Sequence, residues 1–361
     1  MILFASAFSP RHFATSIETA RRHLGVTRRL NVLAFLLALL APAHPALAES
    51  PACEGKNLLE QLKAENSQEY QQLMAEGQKV PNGKGIFWKI EKEGIQTSYL
   101  LGTMHLSDPR VLDLPESVEE VRYDARVVVV EASEILDLKK AAGRLFMRPD
   151  FMMLPGGKRI GDFLTKDEEK TLADGLRAKG MALSAVDRMR PWLISTTLAT
   201  PGCEFARKAK GVSVLDQQIA FDAVDYDIPV EGLETFEEQL AAMNSISTES
   251  QVKSLLETMA YRDQLKDITE TMIQLYEAGE MGLLWPLLFK KYAVDTGAAT
   301  SGMSEFENIM LTKRNHVMAE RSARFLTEGG AFIAVGALHL QGEEGLVELI
   351  RRQGYAVTAI D

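Results

Sequence analysis

The sequence predicts an α/β fold: a central mixed, mainly parallel sheet flanked by helices, with a largely helical middle region. Three observations lead there. Val127 to Val130 is an unbroken run of four valines, the pattern of a strand buried on both faces, as in a parallel sheet. Ala331 to Gly336 and Tyr355 to Ile360 are apolar segments separated by a helical stretch, so the chain closes in β-α-β manner. Between the two ends, from 134 to 330, helical periodicity dominates.

In chain order, residues 1–48 read as a targeting segment. Arg21, Arg22, Arg28 and Arg29 precede the apolar stretch Leu30 to Leu40, and small residues end in Ala46-Leu47-Ala48. These are the parts of a secretory signal peptide with an A-x-A cleavage site after Ala48. The apolar core falls short of the ~20 residues that span a bilayer, so no stable membrane anchor is expected after cleavage. The mature chain, 49–361, is expected to be a single periplasmic or secreted domain.

Asn57 to Ala75 has the spacing of an amphipathic helix, ended by Gly77 and Pro81. Gly85 to Lys92 and Gln96 to Gly102 read as strands joined by a turn at Glu93-Gly94. Pro115 opens a short helix, and the valine run follows. Thr165-Lys166-Asp167-Glu168 is a capping box for a helix through Arg177. Helices are expected over Pro191 to Lys208, Leu215 to Val224, and Phe236 to Gly279 with a break near Ser245-Thr248. A strand is expected at Ile228 to Glu231, and Trp285 to Tyr292 is a short apolar stretch. Ser304 to Glu328 reads as a long helix stopped by Gly329-Gly330, and Glu343 to Gln353 as a helix stopped by Gly354. Pro155-Gly156-Gly157-Lys158 is a turn, and Met147, Met152 and Met153 read as core or lid contacts.

The chain is 46% hydrophobic and 25% charged, the composition of a protein with a real core. Its formal charge is −10 although the leader is basic, which argues against nucleic acid or an anionic membrane as the main partner. The two cysteines, Cys53 and Cys203, both lie beyond the leader. In an oxidising compartment they are expected to pair, a bridge worth roughly 2–4 kcal/mol; two separate buried thiols are the alternative.

The informative pattern is where polar residues follow apolar strands. Tyr99-Leu100-Leu101-Gly102-Thr103-Met104-His105-Leu106 and Phe332-Ile333-Ala334-Val335-Gly336-Ala337-Leu338-His339-Leu340 both run from strand to Gly, two residues, then His-Leu. Glycine permits an approach where a Cβ would clash. The histidine then falls at the strand's carboxyl end, the edge where open α/β sheets bind ligands. The valine run delivers Glu131, and Ile228-Pro229-Val230 delivers Glu231 with Glu234 close behind. If these strands are parallel neighbours, two imidazoles and one or two carboxylates converge. That set suits a divalent transition metal, or acid–base chemistry without one.

Of six histidines, His12, His23 and His44 lie in the leader, leaving His105, His316 and His339; His316 has no motif. Arg314 is placed to hold a carboxylate or oxyanion, and Asn315 to add a hydrogen bond. The competing reading of that pair is a solvated helix face. For Asp216 a capping role is expected. There is no H-E-x-x-H, no G-x-S-x-G and no Walker loop.

These residues together resemble the TraB/GumN (Tiki-like) family. Gly102-Thr103-Met104-His105 and Gly336-Ala337-Leu338-His339 look like its paired G-x-x-H motifs. Ala52-Cys53-Glu54-Gly55-Lys56-Asn57-Leu58-Leu59 resembles the start of its exported bacterial members. Val130-Glu131-Ala132, Leu215-Asp216, Val230-Glu231-Gly232-Leu233-Glu234 and Arg314-Asn315 match in the family's order. The resemblance implies a fold similar to the erythromycin-esterase/ChaN-like superfamily. It also implies a metal-dependent hydrolase, with peptidases among its relatives. His105, His339 and Glu131 would hold Mn, Co or Zn, with Glu131, Glu234, Arg314 and Asn315 as catalytic candidates. The expected partner is a peptide or other small substrate. A metal-free His/Glu hydrolase, or a protein that binds a peptide, signal or metal complex without turnover, are the alternatives.

Overall fold

The computed structural model describes residues 54–288 and 305–360. The leader and Cys53, one end of the expected Cys53–Cys203 bridge, lie outside the described residues.

Among those residues, six strands form one sheet: β1 Phe87–Lys92, β2 Ile95–Thr103, β3 Val127–Ala132, β4 Val230–Glu234, β5 Ala331–Gly336 and β6 Ala356–Ala359. Their order is β4-β3-β5-β2-β1-β6. β3 runs parallel to β4 and β5, and β5 runs parallel to β2. β1 is antiparallel to β2 and β6. The expected mixed, mainly parallel sheet flanked by helices is therefore the fold. Gly94, with φ +75, supplies the left-handed residue of the β1–β2 turn.

The valine run shows why the centre of this sheet is stable. Every residue of β3 is buried. Val128 and Val130 pack with Leu101, Phe332 and Ala334 in one core, while Val127 and Val129 pack with Ile333 and Val335 in the other. Alternation by two sends each strand's side chains to both faces, so both faces need helices over them. Full burial of one such valine contributes about 1.5–3 kcal/mol.

Several expected helices are shorter or divided. Asn57 to Ala75 forms Leu58–Glu65 and Ser67–Gly77, because the Asn66 side chain accepts from the Glu69 N–H and caps a new helix. Pro191 to Lys208 forms Pro191–Ala199 and Gly202–Ala209, since Pro201 has no N–H to continue the first. Phe236 to Gly279 forms Phe236–Ser245, Thr248–Ala260 and Leu265–Glu277, with the expected break and a second one. The strand expected at Ile228 to Glu231 starts later and runs on to Glu234. Lys313–Glu328 is the late long helix, entered through a wide turn at Asn308–Thr312; Ser304 lies outside the described residues. The last helix is Leu346–Arg352. The Thr165–Glu168 capping box opens Lys166–Ala178 as expected. Met147, by contrast, is no core contact, since it is 76% exposed.

Candidate active site

Parallel pairing brings the two G-x-x-H loops side by side. Thr103 of β2 is in register with Gly336 of β5, so His105 and His339 leave adjacent strands at the same edge. β3 flanks β5 on its other side and delivers Glu131. The meeting point is Gly336. A Cβ there would lie 3.2 Å from Glu131 Oε1, 3.5 Å from His339 Cδ2 and 3.8 Å from His105 Nε2. Glycine leaves open the space in which a carboxylate and two imidazoles meet. Gly102 acts differently: its Cβ would press on the Ala337 backbone at 2.9 Å, so it serves the packing of the two loops.

Each ring is held by its Nδ1. His105 Nδ1 lies 2.7 Å from Asp216 Oδ2, and the other Asp216 oxygen accepts from the Thr103 hydroxyl. His339 Nδ1 lies 2.6 Å from Asn315 Oδ1, while Asn315 Nδ2 donates to the Glu344 carbonyl at 2.8 Å. A carboxylate and an amide oxygen can only accept, so each Nδ1 carries the proton and each Nε2 keeps a lone pair.

Arg314 binds the acids together. Its Nη2 donates to Glu131 Oε2 and to Glu234 Oε2, both at 2.7 Å. Its Nη1 reaches the Met310 carbonyl at 3.2 Å and lies 3.4 Å from His339 Nε2. Glu131 also accepts from Gln239 Nε2 at 3.0 Å and from the Gly336 N–H at 2.8 Å. His339 Nε2 lies 3.7 Å from Glu131 Oε1.

Charge and burial divide these groups. Burial pushes the Glu131 carboxyl up, but His339, Arg314, His105 and the Gly336 N–H together hold it well below the usual carboxylate range. Burial raises Glu234 in spite of Arg314. Burial pushes His339 down to about 4. The Asp216 charge raises His105, whose side chain is 44% exposed. The edge thus carries a buried neutral imidazole, an open imidazole that readily takes a proton, and a carboxylate that stays ionised.

Of the residues picked out in the sequence, His105, Glu131, Glu234, Arg314, Asn315 and His339 come together. Glu231 does not: its side chain is 50% exposed and faces Arg324 at 3.4 Å. His316 pairs with Glu344 on the surface. Asp216 is corrected from a cap to the partner of His105; the N-terminus of its helix has no side-chain cap at all. Thr103 and Gln239 were not singled out; Gln239 sits on the helix directly after β4, beside Glu131.

Two imidazole nitrogens and a carboxylate oxygen are donors of the types that divalent transition metals take, and Nδ1 anchoring is the usual support of a ligating histidine. The space over Gly336 fits such a group. Even so, among the described residues no three His, Cys, Asp or Glu side chains are drawn into a closed coordination set. The guanidinium of Arg314 stands beside one of the ring nitrogens instead.

Known proteins resemble this chain over most of its length. Metalloprotease TIKI1 of Homo sapiens is 24% identical, over 75% of this chain and 61% of its own length. The metalloprotease TIKI homolog of Nematostella vectensis is 23% identical, over 76% and 67%. Metalloprotease TIKI1 of Danio rerio is 24% identical, over 75% and 62%. The chain thus spans 61–67% of the length of these relatives. No solved structure matches it significantly. The TraB/PrgY/gumN family matches residues 86–359, from the start of β1 to the end of β6. The chain belongs to the TraB/PrgY/gumN family.

Proposed function

We propose that this protein is an exported metal-dependent hydrolase acting on peptides, with its site over Gly336. The observation that supports this most is the convergence of His105 Nε2, Glu131 Oε1 and the His339 ring on one glycine, with both Nδ1 atoms already held. The relatives named as metalloproteases support the reaction class. The Arg-flanked apolar leader with its Ala46-Leu47-Ala48 ending supports export to the periplasm or beyond, where a Cys53–Cys203 bridge is stable.

His105, His339 and Glu131 would hold a Mn, Co or Zn ion, which supplies a polarised carbonyl or an activated water. The chain's own residues do the rest. Asp216 and Asn315 keep both Nε2 lone pairs aimed at the site. Arg314, whose N–H groups go to Glu131, Glu234 and the Met310 carbonyl, holds the two acids in place beside the site. Glu234, whose carboxyl burial raises, stands across Arg314 from Glu131 and completes the acid pair beside the site.

The test is metal content. Purified protein should take up about one equivalent of divalent metal, and His105→Ala and His339→Ala should each lose it while remaining folded. No uptake at equimolar concentration defeats this reading. A second reading, acid–base hydrolysis without metal, is favoured by the Arg314 guanidinium at 3.4 Å from His339 Nε2. Peptide cleavage that survives exhaustive chelation would establish it.

A further inference from the structure

Immediately after His105 the chain enters a buried charged cluster that the site chemistry does not use. Ser107, Asp108, Glu204 and Arg207 are each at most 1% exposed. The Ser107 N–H donates to both Glu204 oxygens, at 3.2 and 3.1 Å, and its hydroxyl donates to Glu204 Oε2 at 2.7 Å. Arg207 Nε donates to the same hydroxyl at 3.2 Å. Arg207 pairs with Glu204 one turn away and stands 3.6 Å from Asp108. Asp108 bonds Arg110, which grips Glu270 through two bonds of 2.7 and 2.8 Å.

Burying a carboxylate and a guanidinium costs more than packing apolar groups of the same size. What the pair provides in return is direction. Ser107 gives Glu204 both its backbone N–H and its hydroxyl, so the backbone here cannot turn away without stranding buried donors. Ser107 is two residues from His105, whose ring is 44% exposed and so is not fixed by packing. His339 needs no such support, being only 5% exposed and enclosed by Asn315, Arg314 and Glu131.

We propose that Glu204 and Arg207, acting through Ser107, are positioning residues that fix the backbone beneath His105. The helical middle thereby sets where this imidazole stands. This rests on reading His105 as a metal ligand, so the test separates the two ideas.

The probe is Co(II), with affinity measured by titration and ligand geometry by its visible absorption. Wild type and His105→Ala define binding and its loss. Ser107→Ala and Glu204→Gln are expected to weaken Co(II) binding by about tenfold or more and to change the absorption spectrum, with the fold intact by circular dichroism. Ser107→Thr, which restores the hydroxyl, should return both toward wild type. Glu270→Gln, at the far end of the network, should lower the melting temperature yet leave affinity and spectrum unchanged. If Glu204→Gln does not fold, Glu204→Leu combined with Arg207→Met, which removes the acceptor of the Ser107 bonds together with its cation, takes its place. Wild-type affinity and spectrum both in folded Ser107→Ala and in the folded variant at 204 overturn the inference while the metal reading stands. A wild-type chain that takes up no Co(II) overturns both.

Discussion

His105 Nδ1 and Asp216 Oδ2 stand 2.7 Å apart although 111 positions separate them in the chain. The histidine belongs to a sheet loop and the aspartate to the first turn of a helix in the middle region. The contact fixes the ring's proton on Nδ1 and raises its pKa. Asp216→Asn should therefore lower the pH at which His105 titrates in metal-free protein, followed by NMR. Metal affinity should fall by about 10- to 100-fold. An unchanged titration in the variant would remove Asp216 from the site.

Arg314 lies between two acids that would otherwise face each other in the interior. Arg314→Met leaves Glu131 and Glu234 without their cation, and removing one partner of a buried pair costs about 3–5 kcal/mol. Urea unfolding of the variant should show a loss of that size. Combining it with Glu234→Gln should restore part of the loss, because one of the two stranded charges is gone.

The two motif glycines should fail in opposite ways. Gly336 has φ −53 and ψ 133, a backbone that alanine adopts readily, but its Cβ would enter the space between Glu131 and His105. Gly336→Ala should keep its melting temperature and lose metal uptake. Gly102→Ala drives a Cβ to 2.9 Å from the Ala337 backbone, and overpacking of this kind costs about 1–3 kcal/mol. It should melt early, which calorimetry of both variants would show.

Acid should destabilise the metal-free fold in a specific window. His339 is pushed from 6.5 to about 4 by burial, so between those values the unfolded chain binds the proton that the folded chain refuses. Stability then rises with pH through that window and is lost as pH falls. Glu131, held below its ordinary range, adds stability that disappears in more acidic solution. His105 has the opposite sign: its contribution is present below its unfolded value and fades as pH rises through the higher folded one. His339→Gln should flatten the stability profile between pH 6.5 and about 4. Chemical denaturation at several pH values reads this directly, and an identical slope in both proteins would refute it.

The sequence made His105, His339 and Glu131 readable because each ends an apolar strand, and strand order follows from parallel pairing. A strand over Ile228 to Glu231 would put Glu231 at the site edge, but β4 starts only at Val230, after Pro229, and carries the inward acid, Glu234, to its far end. Asp216 looked like a cap because acids favour the first turn of a helix; only its spatial partner reveals its task. The division of Pro191 to Lys208 was visible in Pro201. Glu204 and Arg207 gave no local signal, since their partner Ser107 is about a hundred positions away.

The anchoring of each imidazole through Nδ1 has a consequence for any attempt to transplant this chemistry. The strands supply the nitrogen atoms, but Asp216 and Asn315, on two separate helices, choose which lone pair is presented. A minimal β-sheet fragment bearing both histidines would own the ligands without their aim. Exchanging loops between homologues should succeed only when these two distant anchors travel with them.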